Sequence, residues 1–301
     1  MRRGFGRLAI MRTLSLTLLF SLTASNSKHA LRVLGLQVAT VSGHTDENCK
    51  RAEAMVQANP GHDLYVLPEL SCHGYTDDVL ATAEQHAQPA DGTIGNFFAR
   101  VAQEAQAHIC YGFLRRASDN DVTICQAVAA PTGETVCIYD KMHLCDMGAC
   151  SEVGYGLTRG RAPGSFSCHG VRVGITVCYD LRFPELYRSL AWDGGCDLIL
   201  HPSAFIRDPT FPSYHQFVTT RALENGVYLL SVTHAGPSFG DSIAAPPWLG
   251  PVPGMAAGLA SSKLGSEEAV LPLVVEPAVL EAVRNAYPYR LDVHPALRPR
   301  S

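Results

Sequence analysis

The stretch VRVGITVCYDLRFPE, residues 171–185, decides how this chain is read. Its first seven residues form a β-rich apolar run that stops at Cys178, so a thiol stands at the carboxyl end of a buried strand. Pro184 then opens a helix expected over residues 184–192. Two earlier stretches repeat the arrangement. DLYVLPE, residues 63–69, is a short buried strand that closes on Pro68 and Glu69, and ETVCIYDK, residues 134–141, follows the turn Pro131-Thr132-Gly133 and closes on Lys141. Sites in α/β sheets are built at the carboxyl ends of strands. A carboxylate, an ammonium and a thiol therefore become candidates for one constellation.

Working outward, strands alternate with helices along the whole chain. Residues 31–41 (LRVLGLQVATV), 108–114, 122–130, 197–201 and 227–232 read as strands. Residues 47–59, 94–107 and 214–225 carry helical spacing, with Ala52, Met55 and Val56 on one face of the first. Short buried strands separated by helices predict an α/β fold whose sheet is covered on at least one face. Residues 236–254 are rich in Gly and Pro and read as a loop with at most short strands. No repeat, low-complexity tract or linker divides the chain, so the expectation is one domain over 30–295, an N-terminal extension over 1–29 and a tail over 296–301.

Composition narrows the function classes. At 301 residues, 47% apolar and 17% charged, the chain can bury a large core, and a net charge of −4 gives no case for nucleic-acid binding. Arg2, Arg3, Arg7, Arg12, Lys28 and Arg32 all precede the first acidic residue, Asp46. This basic start with the apolar residues 14–22 fits a mitochondrial presequence, a signal peptide, or a ragged extension ahead of a start at Met11. The expected location is cytoplasmic or mitochondrial, with secretion as the other outcome. The apolar stretch is shorter than the about 20 residues a bilayer span needs, so no membrane association is expected. The ten cysteines include no CxxC pair, and most are expected to be buried free thiols; neither a metal nor a cofactor is implied.

Taken singly, each strand-end residue has a bland reading: Cys178 a small buried hydrophobe, Glu69 a helix cap, Lys141 a solvated turn residue. The local wording changes this. Pro68-Glu69-Leu70 runs to Gly74-Tyr75, Lys141-Met142-His143-Leu144 follows Tyr139-Asp140, and Cys178-Tyr179-Asp180-Leu181-Arg182-Phe183-Pro184-Glu185 follows in order. At these residues the sequence resembles the nitrilase superfamily of carbon-nitrogen hydrolases, from about Leu31 to Arg298. His201-Pro202-Ser203-Ala204-Phe205 and Arg221-Ala222-Leu223-Glu224-Asn225 look like further family segments.

The resemblance implies an α-β-β-α sandwich subunit that associates as a homodimer or higher homo-oligomer. It implies Cys178 as nucleophile, Glu69 as general base, and Lys141 with the backbone N–H of Tyr179 as oxyanion stabilisers. Glu152, eleven residues beyond Lys141, is the candidate second glutamate, against a surface charge as the plain alternative. Arg182, His143 and Phe205 are candidates around the substrate, although Arg182 could simply pair with Glu185, and Arg221 with Glu224 could brace a helix. Gly236-Pro237-Ser238-Phe239-Gly240 matches G-x-S-x-G, but a Gly/Pro-rich loop lacks the strand-turn-helix that motif needs.

Two departures fall near the substrate. Thr123-Ile124-Cys125-Gln126 lacks the asparagine of a Tyr-Asn pair common in the family, and Pro212-Ser213-Tyr214-His215 lacks a tryptophan. The wording is most similar to the branch acting on deaminated glutathione and ω-amides. The expected activity is hydrolysis of a small linear, carboxylate-bearing amide with release of ammonia. Nitrile or N-carbamoyl hydrolysis, acyl transfer, and a catalytically silent interaction module are the alternatives.

Overall fold

Along β1 (Leu31–Gln37), Leu31 and Val33 point to one face and Leu34 and Leu36 to the other, and both sets are fully or nearly fully buried. A strand buried on both faces lies inside a layered sandwich. The structure, a computed structural model, describes residues 29–147, 150–294 and 296. The expected extension over 1–29 falls almost wholly outside the described residues, as does most of the C-terminal tail.

The elements follow in the order α1 (Thr45–Ala58), β2 (Leu64–Val66), α2 (Asp77–Ala81), α3 (Ala83–His86), α4 (Thr93–Ala105), β3 (His108–Ser118), β4 (Asp121–Ala129) and β5 (Thr135–Asp140). Next come β6 (Asp146–Met147), β7 (Cys150–Ser151), β8 (Gly164–Cys168), β9 (Val171–Ile175), α5 (Pro184–Arg188), β10 (Leu198–Pro202), α6 (Tyr214–Asn225) and β11 (Tyr228–Val232). β12 (Ile243–Ala245), β13 (Ser262–Lys263), β14 (Ala269–Val275) and α7 (Pro277–Ala286) complete the chain.

Two six-stranded sheets, ordered β14-β1-β2-β3-β4-β5 and β13-β12-β11-β10-β9-β8, form the sandwich, and β6 pairs with β7 apart from them. The sheets share one plan. Three central strands run parallel, β1-β2-β3 in one and β9-β10-β11 in the other, and antiparallel strands flank them on both sides. Leu31, Val33, Leu64 and Val66 pack between the sheets against Ile175, Leu198 and Leu200. Gly35 lies where the sheets approach closely, since a Cβ there would come 2.8 Å from Val232 Cγ2.

The outer faces are covered by helices. Ala52 and Val56 of α1 and Phe98, Val101 and Ala102 of α4 cover Leu34, Leu36, Tyr65 and Tyr111, with the Phe98 and Tyr111 rings stacked at 4.3 Å. Burying one such phenylalanine is worth about 2–3 kcal/mol. Leu186 and Tyr187 of α5 and Tyr214, Val218 and Ala222 of α6 belong to the core around the second sheet. The layers are therefore helix, sheet, sheet, helix, as the resemblance implies.

Two local results differ from the sequence reading, and the loop over 236–254 follows it. The helix expected over 184–192 is α-helical only through Arg188 and widens into a π-turn at Ser189–Asp193. β8 and β14 were not expected, because Ser and Gly interrupt the first and Pro272 the second; β14 is an edge strand, where a missing N–H is tolerated. The loop over 236–254 contains one short strand, β12. No disulfide joins the described cysteines, most of which are buried. No helix among the described residues is long and apolar enough to cross a membrane.

Candidate active site

Cys178 opens a 3-10 turn, Cys178–Arg182, directly after β9, and its φ of +44° lies in the left-handed region. A non-glycine residue there costs about 1–2 kcal/mol, and such strain gathers at functional residues. Asp180 holds the turn. Its buried carboxylate accepts from Val177 N (2.8 Å), the Tyr139 hydroxyl (2.6 Å), His143 N (3.1 Å) and His143 Nδ1 (2.7 Å). Since a carboxylate only accepts, the Nδ1 of His143 carries a proton. The His143 ring also stacks on Phe183 at 3.8 Å. His143 thus secures the turn bearing Cys178.

Glu69 follows β2 in a tight turn in which Leu70 (φ +46°) and Gly74 (φ +76°) are left-handed. The turn lies on β3. Cys72 N donates to Gly112 O (3.0 Å) and Gly112 N donates to Ser71 Oγ (3.1 Å). A Cβ on Gly112 would stand 2.6 Å from Leu70 N and 2.7 Å from Pro68 O, so only glycine lets the turn sit so close. From the second sheet, Ala204 N donates to Glu69 Oε2 (2.9 Å), and His234 Nε2 donates to Glu69 O (2.7 Å). His234 Nδ1 consequently accepts from the Thr40 hydroxyl at 2.9 Å.

Lys141 leaves the end of β5 and places Nζ between two carboxylates, 2.7 Å from Glu69 Oε1 and 2.6 Å from Glu152 Oε1, with all three residues at 0% exposure. Glu152 is no surface charge. It accepts also from the Tyr75 hydroxyl at Oε1 (2.6 Å) and from Cys145 N at Oε2 (2.7 Å). Two buried carboxylates against one ammonium leave an excess negative charge in a poorly solvated space. Burial first, and the Glu152 charge with it, raise the Glu69 pKa to about 7 against the pull of Lys141. Burial alone would lower the Lys141 pKa, but Glu152 and Glu69 outweigh it and hold the ammonium well above its usual range. Burial likewise pushes the Cys178 thiol well up, Glu69 and Glu152 add to the rise, and Lys141 opposes it. The arrangement couples a protonated thiol to a carboxylate base titrating near neutrality, beside a fixed cation. That is the equipment for nucleophilic attack on a polarised carbon.

Cys178 opens onto a pocket of about 50 Å³ lined also by Tyr75, Tyr179, Arg182, Phe205 and Ile206. Arg182 does not pair with Glu185. Its guanidinium packs instead 5.4–5.9 Å from the ring centroids of Tyr179, Phe205 and Phe217, and no carboxylate among the described residues comes within ion-pairing distance. Arg221 does brace its helix, 3.0 Å from Glu224 Oε1, and also donates to Leu181 O. Thus Glu69, Lys141, Glu152 and Cys178 converge, Tyr179, Arg182 and Phe205 line the pocket, and His143 stands behind it. Asp180, Tyr75, His234 and Ser203 had no assigned role. Tyr75 and Asp180 sat inside the quoted motifs, whereas nothing local marks His234. The Ser203 hydroxyl, buried without a regular hydrogen-bond partner, is near enough to Cys178 to favour its anion. No group of three or more His, Cys, Asp or Glu among the described residues is arranged to hold a metal.

The carbon-nitrogen hydrolase family profile matches residues 32–257, a span holding every one of these side chains. The chain belongs to the carbon-nitrogen hydrolase family. An omega-amidase of Xenopus laevis is 27% identical over 270 residues, covering 85% of this chain and 93% of that protein. The 2-oxoglutaramate amidase of Bacillus subtilis is 26% identical over 264 residues, covering 86% and 95%. Among solved structures, a CN-hydrolase superfamily protein of Xanthomonas campestris with an arsenic adduct in its active site superposes with a TM-score of 0.74 at 22% identity. It covers 90% of this chain and all of that one, which supports the fold. A mutant of the amidase from Nesterenkonia sp. AN1, in complex with butyramide, superposes with a TM-score of 0.67 at 25% identity, covering 87% and 96%. The family is one of hydrolases acting on carbon-nitrogen bonds other than peptide bonds.

Proposed function

We propose that this carbon-nitrogen hydrolase cleaves a small linear amide bearing a carboxylate, through a Cys178 thioester, and releases ammonia. The observation that carries the reading is the buried Glu69-Lys141-Glu152 cluster behind a thiol that faces a pocket. Because burial first, and the two carboxylates with it, disfavour the thiolate, Cys178 rests as a thiol and gives its proton to Glu69 as sulfur attacks the amide carbon. Lys141 and the backbone N–H of Tyr179, which has no intrahelical acceptor at the start of its turn, stabilise the developing oxyanion.

Collapse of the tetrahedral intermediate breaks the carbon-nitrogen bond, and Glu69 returns its proton to the leaving nitrogen, giving ammonia and a thioester. Water then gives a proton to Glu69 and attacks the thioester; the acid leaves and the thiol is restored. Glu152 holds Lys141 in place. Arg182, a cation in the pocket wall with no ion-pair partner among the described residues, receives the substrate carboxylate. The amidase names of the relatives support this choice over a nitrile or an N-carbamoyl group.

The test is ammonia release from glutaramate, 2-oxoglutaramate, pentanamide, an N-carbamoyl amino acid and a nitrile. Preference for the carboxylate-bearing amides supports the reading; release only from the nitrile or carbamoyl compound overturns it. A homodimer or higher homo-oligomer, checked by light scattering, and a cytoplasmic or mitochondrial location, checked with residues 1–29 fused to a fluorescent reporter, belong to the same proposal.

A further inference from the structure

The pocket wall holds a second charge besides Arg182. Asp208, six residues after β10, lines the same cavity as Cys178 and Arg182. Its Oδ1 accepts from Thr210 N and from the Thr210 hydroxyl, both at 2.7 Å, while its Oδ2 has no donor among the described residues. The cation next to it in sequence is committed elsewhere. Arg207 donates to Phe239 O (2.6 Å) and to Asp241 Oδ2 (2.7 Å), leaving Asp208 without an ion-pair partner among the described residues.

One pocket thus presents an unpaired cation and an unpaired anion. A site shaped only for a monoanionic amide gains nothing from Asp208, because a carboxylate in the wall repels the carboxylate that Arg182 receives. The turn that Asp208 caps does not need the charge either, since asparagine caps it with the same carbonyl oxygen. The complement of this pair is a zwitterion.

We propose that Asp208 selects substrates carrying an ammonium group beside the carboxylate, so that the substrate class is the ω-amide of an α-amino acid. Its carboxylate meets Arg182, its ammonium meets Asp208 Oδ2, and its amide carbon lies at Cys178. This rests on the carboxylate reading above and adds the second charge to it.

Three five-carbon amides separate the two ideas. L-glutamine carries both charges, glutaramate the carboxylate alone, and pentanamide neither. The wild type is expected to favour glutamine over glutaramate in kcat/KM by about tenfold or more, the worth of one charge-assisted hydrogen bond. Asp208→Asn should bring that ratio down by about tenfold, through KM for glutamine. A ratio within one enzyme cancels general damage to the fold. A wild type that prefers glutaramate to glutamine, or an Asp208→Asn enzyme with the wild-type ratio, overturns the role of Asp208 and leaves the carboxylate reading standing. Equal turnover of glutaramate and pentanamide overturns the carboxylate reading, and this inference with it.

Discussion

The Tyr139 hydroxyl donates to Asp180 Oδ2 at 2.6 Å, two residues before Lys141 and two residues after Cys178. This buried hydrogen bond joins β5 of one sheet to the turn after β9 of the other, so ammonium and sulfur are located by a shared contact. Asp180→Asn replaces an acceptor of four donors by an amide whose N–H groups face other donors. It should lower kcat by about 10- to 100-fold with a smaller change in KM, whereas Tyr139→Phe, which removes one donor, should cost about tenfold. Steady-state kinetics alongside melting curves check both, since a purely structural role would move Tm without moving kcat at a temperature well below it.

Gly112 sets the height of the turn that carries Glu69. Gly112→Ala forces Pro68 and Leu70 away from β3, because backbone atoms at 2.6–2.7 Å cannot yield as a flexible side chain would. The expected result is a loss of at least about 2 kcal/mol of stability, in the range of overpacking, and a fall in kcat. Urea unfolding and kinetics on the purified variant measure the two.

The titration of Glu69 gives a prediction with a definite sign. Its folded pKa of about 7 lies above the ordinary carboxylate value, so the folded state binds the extra proton between those limits. The charged carboxylate therefore costs stability in a way that grows as pH rises toward 7 and is constant beyond. Glu69→Gln removes the cost. It should raise Tm relative to wild type at pH 8, lose most of that advantage at pH 5, and have almost no turnover. Wild-type kcat/KM should fall as pH drops below about 7, as Glu69 takes up its proton. Calorimetry at the two pH values and a pH-rate profile test both halves.

Arg182 makes no ion pair among the described residues, so Arg182→Gln is a clean test of the substrate carboxylate. The ratio of kcat/KM for glutaramate over pentanamide should fall by about 10- to 100-fold, as expected for losing a charge-assisted hydrogen bond. An unchanged ratio would remove Arg182 from the binding site.

Much of this site could be read in the sequence because strand ends are local features. Glu69, Lys141 and Cys178 each close an apolar run, and the structure sets Lys141 at hydrogen-bonding distance from both Glu69 and Glu152. The residues that went unassigned act across long separations. His234 reaches Glu69 over 165 positions and Ala204 over 135, and no window of sequence brings those pairs together. Arg182 and Glu185 have the spacing of a helical pair, but Arg182 belongs to a 3-10 turn and Phe183 intervenes in extended conformation, so the side chains diverge. β14 stayed hidden because Pro272 argues against a strand unless the strand lies at an edge, and edge position is a property of the whole sheet.

The most direct test of the account is ammonia release from glutaramate by the wild type and by Cys178→Ala, with melting curves establishing that both are folded. The account predicts release by the wild type and none above the uncatalysed rate from Cys178→Ala. Substantial release by folded Cys178→Ala would contradict it.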